Sequence, residues 1–202
     1  ASWSHPCTSV AKAPKEEVGD VYMCAYNVNG LRSCWRKGAL QAFVEREQPD
    51  FLTLTEIKCT STQAGAMPGF SPFLHRHGYH WVTWHWAQKN KGYSGVAVLS
   101  KIKPAGTTVG MGDMSDTEAR VVTTKFTSFT VVSVYAPCSG RQGDPCFKAK
   151  RQEFDATLLK HISAIEGDVI VTGDLNVAAQ QGDAFFTMHD SKEDEDFFPS
   201  TS

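Results

Sequence analysis

The 202-residue chain has no apolar run near the roughly 20 residues that a helical membrane span requires, so a membrane is not among its expected partners. Its start lacks the basic stretch and hydrophobic block of a signal peptide, and it begins at Ala1 rather than Met. Among six cysteines (Cys7, Cys24, Cys34, Cys59, Cys138, Cys146) there is no C-x-x-C pair, which removes sequence support for a zinc site. The even count leaves disulfides open. Without a secretory pattern, reduced thiols in the nucleus or cytoplasm are the preferred reading, with the mitochondrion left open. No internal repeat at solenoid periods is present, which excludes a stacked-repeat architecture. A dominant charge of one sign is also missing, because the formal net charge is only −2. The four clustered histidines His75, His77, His80 and His85 read as a wet loop rather than a metal site.

What is present suits one globular domain with a real core: 41% hydrophobic residues, including 12 Phe, 5 Tyr and 5 Trp. The charge is unevenly spread. Residues 182–202 carry six acidic side chains against one lysine, leaving 19 basic and 16 acidic ones in residues 1–181. A mildly basic body can meet a polyanion through a local patch, and the acidic tail would repel one. Three segments are expected: a flexible arm at 1–19, a domain at 20–181 and a divergent acidic tail at 182–202.

Along the domain, Val21 to Tyr26 predicts a strand, and Gly38 to Gln48 predicts a helix with Leu40, Phe43 and Val44 on one face. Pro49 ends that helix. Phe51 to Thr55 predicts a buried strand. Thr60 to Phe73, rich in Gly, Pro, Ser and Thr, reads as a connection. Strands follow at Tyr79 to Trp84 and Gly95 to Ser100, with an edge strand at Pro104 to Val109. Arg120 to Phe126 and Thr130 to Tyr135 form a hairpin pattern. Phe147 to Ile165 predicts a helix with Phe147, Phe154, Leu158, Ile162 and Ile165 on its apolar face, while Lys148, Lys150 and Arg151 read as a solvated face. Asp168 to Thr172 predicts a second buried strand. The order argues a mixed α/β sandwich with helices outside packed sheets.

Three of these strands end in acids or amides: Asn27 and Asn29, Glu56, and Asp174 with Asn176. In extended chain, positions i and i+2 share a side, so each pair can project together. Taken alone, Gly173-Asp174-Leu175-Asn176 reads more readily as a turn. Taken together, oxygen donors without histidine or thiol suit a hard cation such as Mg²⁺, which takes only one or two carboxylates. Arg120 and Arg141 can grip phosphate as guanidinium forks, and Tyr135 can donate to a phosphate oxygen. The bland alternatives are an exposed strand start for Arg120 and a core aromatic for Tyr135.

Six blocks carry a resemblance. They are Tyr26-Asn27-Val28-Asn29-Gly30-Leu31-Arg32, Pro49 to Cys59, Lys91 to Ala97, Glu118-Ala119-Arg120-Val121, Val134-Tyr135-Ala136-Pro137, and Gly173 to Ala178. In order and spacing the chain resembles the exonuclease III family of apurinic/apyrimidinic endonucleases, within the endonuclease/exonuclease/phosphatase superfamily. The resemblance implies a four-layer αββα sandwich and Mg²⁺-dependent hydrolysis of the phosphodiester 5′ to an abasic site in double-stranded DNA, with Mn²⁺ a substitute for Mg²⁺. Exonuclease or phosphodiesterase action at 3′ ends is a companion expectation, and a monomer is expected. By position, Glu56, Asn29, Asp174 and Asn176 correspond to the metal's surroundings. Asp174 corresponds to the group that orients or deprotonates water, Tyr135 and Asn176 to groups on the scissile phosphate, and Asn27, Lys58, Arg120 and Arg141 to substrate contacts.

The chain also departs from the pattern. Ile57 and Cys138 replace residues usual in relatives. The resemblance fades after Ala179, and no Ser-Asp-His block follows. The expectation is therefore a sandwich lacking its second half, with exposed apolar faces and sheet edges. A silent DNA-binding protein and a sibling phosphodiesterase are the alternative expectations.

Overall fold

The computed structural model describes residues 20–88, 90–112, 118–138 and 145–178. The expected arm at 1–19, the tail at 182–202 and Arg141 lie outside the described residues. The chain runs β1 (Met23–Asn27), α1 (Leu31–Arg36), α2 (Ala39–Glu47), β2 (Phe51–Thr55), α3 (Ser61–Gly65), α4 (Phe70–Arg76), β3 (Trp81–His85), β4 (Val96–Ser100), β5 (Gly106–Val109), β6 (Val121–Lys125), β7 (Phe129–Tyr135), α5 (Pro145–Ser163) and β8 (Asp168–Asp174).

The strands form two four-stranded sheets, ordered β1-β2-β4-β3 and β5-β6-β7-β8. Within each, one pair is parallel, β1 with β2 and β7 with β8. Both parallel pairs are crossovers with helix between the strands, as parallel neighbours require. Two-sided burial explains the composition of β2 and β4. In β2, Leu52 and Leu54 face the helices α1 to α4, while Phe51 faces the second sheet. In β4, Ala97 and Leu99 take the helix side, and Val96 and Val98 the inner side. In β7, Val132 and Val134 pack under Phe154 and Leu158 of α5, and Val131 points inward. The result is a helix–sheet–sheet–helix stack. Each fully buried Leu contributes about 1.5–3 kcal/mol. A buried polar contact joins the inner faces, where Thr53 Oγ1 and Ser133 Oγ lie 2.7 Å apart.

Several expectations need correction. Thr60–Phe73 is not a plain connection, because it contains α3 and the start of α4. Thr60 and Gln63 make a reciprocal capping box, and Pro72 sits in the first turn of α4, where its missing N–H costs no hydrogen bond. The short helix α1 directly after Gly30 went unread. β8 is not buried: among the described residues it is an edge strand, with Ile170 and Val171 each 40% exposed. Phe147 is exposed and off the packed face of α5. His85 is no wet-loop residue. It is buried at the end of β3, with Nδ1 2.9 Å from the Val121 carbonyl oxygen.

Candidate active site

The two parallel pairs put four strand ends at one edge of the sandwich. β1 ends at Asn27 opposite Thr55 of β2, and β7 ends at Tyr135 opposite Asp174 of β8. Glu56 follows Thr55 directly. The ladder between β1 and β2 continues past the strands, with Val28 N–H donating to Thr55 O, Gly30 N–H to Glu56 O and Leu31 N–H to Ile57 O. That extension holds the Asn29 loop against Glu56.

Asn27 joins the two halves. Its Nδ2 donates to Glu56 Oε1 at 2.9 Å and to Asp174 Oδ2 at 2.7 Å, bridging a carboxylate of each sheet. Its Oδ1 accepts from the Asn29 N–H at 3.0 Å. Asp174 repeats this turn: its Oδ1 accepts from the Asn176 N–H at 3.0 Å, and Asn176 Nδ2 donates to Ala136 O at 2.8 Å. Both i, i+2 pairs are thus joined through Asx turns, not by alternation along a strand. Asn29 and Asn176 have φ of 42° and 49°, so the extended chain has already ended at each.

Glu56 is the most heavily bonded acid of the cluster. Tyr135 OH donates to its Oε1 at 2.9 Å, and Lys58 Nζ lies 2.6 Å from its Oε2. Burial pushes the Glu56 carboxyl up, but the bonds from Lys58, Asn27 and Tyr135 outweigh it and hold the group below the usual carboxylate range. Burial and the Glu56 carboxylate push the Tyr135 phenol well above its ordinary value, so it stays a donor. Lys58 Nζ also donates to Asn29 Oδ1 at 2.7 Å.

Arg120 occupies an underlying position. It is 4% exposed, with Nε on Glu118 at 2.8 Å and Nη1 on the Tyr135 carbonyl at 3.0 Å. Its guanidinium lies 4.8 Å from the Tyr135 ring centroid. It braces Tyr135 from below rather than facing outward. Burial raises the Glu118 carboxyl, but bonds from Lys150 and Arg120 prevail and lower it. Lys150 and Arg151 are not a merely solvated face. Lys150 pairs with Glu118, and Arg151 Nη1 donates to the carbonyls of Pro137 at 3.0 Å and Asn176 at 3.2 Å. Arg151 Nε pairs with Asp155 one helical turn on, at 2.8 Å, and no sequence pattern points to its bracing role, because its targets at the site are backbone carbonyls. Glu118 could have been found as the acid two residues before Arg120.

Backbone strain gathers here. Asn29, Glu56, Lys58, Ser94, Ala119 and Asn176 all have φ between 42° and 58°. Such residues cost of order 1–3 kcal/mol each and concentrate where function demands a geometry. Gly173 allows the close approach of β8 to β7, since a Cβ there would lie 2.0 Å from Val134 O. Asn27 and Asp174 border a cleft of about 730 Å³ with Tyr26, Thr55, Leu175 and Val177.

The donor set fits a hard divalent cation. The reachable side-chain oxygens belong to two carboxylates, Glu56 and Asp174, and to the amides Asn29 and Asn176. Among the described residues no cluster of three or more His, Cys, Asp or Glu exists, and none of these four donors is a thiol or imidazole, which disfavours softer ions. Chemically, the arrangement can hold a cation, fix a water on Asp174 and present a phenol to an anionic substrate.

Residues 24–201 match the profile of the endonuclease/exonuclease/phosphatase family. The chain is 36% identical over 164 residues to an exodeoxyribonuclease of Bacillus subtilis, covering 80% of this chain and 60% of that protein. It is 32% identical over 163 residues to the DNA repair nuclease APEX1 of Danio rerio, covering 79% and 50% respectively. Among solved structures, a 3′-5′ exonuclease from Neisseria meningitidis aligns with TM-score 0.62 at 27% identity, over 77% of this chain and 58% of that one. An AP endonuclease from Archaeoglobus fulgidus shares the fold with TM-score 0.66 at 24% identity, over 80% and 60%. The chain thus spans 50–60% of the length of these two curated relatives.

Proposed function

The chain belongs to the endonuclease/exonuclease/phosphatase family, and from that premise we propose that it is a Mg²⁺-dependent DNA-repair nuclease hydrolysing the phosphodiester 5′ to an abasic site. The carrying observation is the Asn27 amide, bonded at once to Glu56 of the first sheet and Asp174 of the second. It gathers both acids at one edge, where a phosphodiester can approach from solvent.

Glu56 and Asn29, with Asp174 and Asn176 beside them, are the residues that would hold Mg²⁺ or Mn²⁺. When bound, the ion supplies charge neutralisation on the phosphate and eases departure of the leaving oxygen. The chain's own groups do the rest. Asp174, fixed by bonds to both of its oxygens, orients a water and accepts its proton as the oxygen attacks phosphorus. Tyr135, kept protonated, presents its hydroxyl at the phosphate, and Arg120 holds the ring in place. Asn176 marks the far side of the phosphate position. The P–O bond to the 3′ oxygen of the preceding nucleotide breaks, that oxygen leaves with the bonding pair and takes a proton from solvent, and the products are a 3′ hydroxyl and a 5′ phosphate on the abasic residue. An abasic nucleotide costs little to extrude because no base must be unstacked. We extend the same reading to phosphate esters at 3′ ends, supported by the likeness to the 3′-5′ exonuclease of Neisseria meningitidis.

The test is incision of a duplex carrying a single abasic site, with and without Mg²⁺. Incision should require the metal, and Asp174→Asn should slow it by roughly 10²–10⁴-fold. Salt-dependent binding without incision, in either Mg²⁺ or Mn²⁺, would overturn the proposal for this chain.

A further inference from the structure

Lys58 sits on the two oxygens that a divalent ion would need. Its Nζ lies 2.6 Å from Glu56 Oε2 and 2.7 Å from Asn29 Oδ1. These are the oxygens left over by the rest of the cluster. Glu56 Oε1 is taken by Asn27 and Tyr135, and Asn27 Oδ1 by the Asn29 backbone. We propose that the Lys58 ammonium is the resident cation of the metal-free site, and that a divalent ion binds by displacing it. The inference rests on the metal role proposed above for Glu56 and Asn29.

Two features support it. The first is space. A Mg²⁺ ion demands oxygens at about 2.0–2.1 Å, and an ammonium already in contact with the same pair blocks that approach. Lys58 and the ion must exchange. The second is that the lysine is placed, not merely long enough to reach. Its backbone is held at φ 44°, and its N–H donates to Ser94 O at 2.9 Å, so the side chain leaves from a fixed point. The local charge agrees. Glu56 and Asp174 are the two carboxylates in the bridge, and position 29 carries a neutral amide. Lys58 therefore cancels half of the negative charge that would attract a dication. Metal occupancy then has a threshold set by Lys58, and the released ammonium becomes available to a phosphate oxygen of the arriving substrate. Lys58 is in this respect a positioning residue for the cation before it is a substrate contact.

The experiment measures Mn²⁺ binding to the full metal-free chain by the electron paramagnetic resonance of free Mn²⁺, at fixed pH and ionic strength. Lys58→Gln should bind Mn²⁺ about tenfold more tightly, the scale expected for one like charge removed from a partly exposed site. Lys58→Arg, which keeps the charge, should not tighten binding, and Asn29→Asp should. In the wild-type chain, Mn²⁺ should speed acylation of the Lys58 amine, read by mass spectrometry, because the ion frees it from Glu56. The acylation experiment decides the matter even if Lys58→Gln fails to fold. Unchanged or weaker binding by a folded Lys58→Gln variant, with binding abolished by Glu56→Gln, overturns the exchange while leaving the metal role intact. Acylation of wild-type Lys58 that Mn²⁺ leaves unchanged or slows overturns it as well. Binding that survives Glu56→Gln overturns the metal role beneath it, and the exchange with it.

Discussion

Tyr135→Phe removes one hydrogen bond and little else. The phenol donates to Glu56 Oε1 at 2.9 Å, while the ring stays against the Arg120 guanidinium, 4.8 Å from its centroid, in either residue. A hydrogen bond to a charged group contributes about 1.5–3 kcal/mol. The Glu56 side chain is 17% exposed, and solvent screening trims the expected loss to about 1–2 kcal/mol. The pH dependence carries a sign. Glu56 has a folded-state pKa below its ordinary value. Its contribution is therefore present above the unfolded-state pKa, about 4.3, and is lost as pH falls through the folded value. The phenol bond is one of three that hold it low. Urea unfolding of wild type and variant should thus show the full loss at pH 7 and a smaller one near pH 3, with the m-value unchanged. An equal loss at both pH values would refute the reasoning, because the hydroxyl would then stabilise something other than the Glu56 carboxylate. No loss at pH 7 would refute the bond itself.

Gly173→Ala should cost at least about 3 kcal/mol, since its Cβ would meet Val134 O at 2.0 Å at a φ of 131°; a melting temperature within a degree of wild type would contradict that contact. Gln48→Gly should do the opposite. Gln48 ends α2 in the left-handed region, at φ 49° and ψ 41°, and glycine there should add about 0.5–1 kcal/mol and raise the melting temperature, which a fall would disprove. Ser133→Ala should cost about 1–3 kcal/mol by stranding the Thr53 hydroxyl between the sheets. The double variant with Thr53→Val should lose less than the two single losses combined, and strict additivity would show that the two hydroxyls do not depend on each other.

The strands of this fold were legible where both faces are buried. Phe51 to Thr55 and Val96 to Ser100 contain no charged residue, proline or glycine, are apolar apart from Thr53, Thr55 and Ser100, and all ten are buried. The stretch between Thr60 and Phe73 shows why composition can mislead. Proline and glycine punctuate helices as well as loops, and Pro72 lies in a first turn, where it is harmless. The capping box at Thr60 and Gln63 fits the S/T-x-x-E/Q pattern, but it lies among small residues whose composition suggests a loop. β8 failed in the other direction. Val169, Ile170 and Val171 read as a buried strand because apolar runs usually are buried. Here the strand lies at the sheet edge, and its exposed faces depend on neighbours that no local pattern reports.

Turn and site are not alternatives for Gly173-Asp174-Leu175-Asn176. The stretch is an Asx turn, and the turn is what fixes the acid. Oδ1 of Asp174 is tied to the Asn176 N–H, leaving Oδ2 to meet Asn27 across the sandwich. Asn27 uses its own Oδ1 in the same way, which aims its Nδ2 at both carboxylates. Turn propensity and site chemistry select the same residue types, since a short side chain with two polar atoms can bond its own backbone with one and face outward with the other. A local reading cannot separate them. Only the packing of the two sheets, which sets the end of β1 against the end of β8 and places the two turns within one hydrogen bond of each other, does so. The residues that brace the cluster were harder to see for the same physical reason. Where they brace the cluster, Arg120 and Arg151 each use one guanidinium nitrogen on backbone carbonyls, of Tyr135 for the first and of Pro137 and Asn176 for the second. A carbonyl is present at every position, so a side chain that seeks one leaves no complementary residue in the sequence to reveal it.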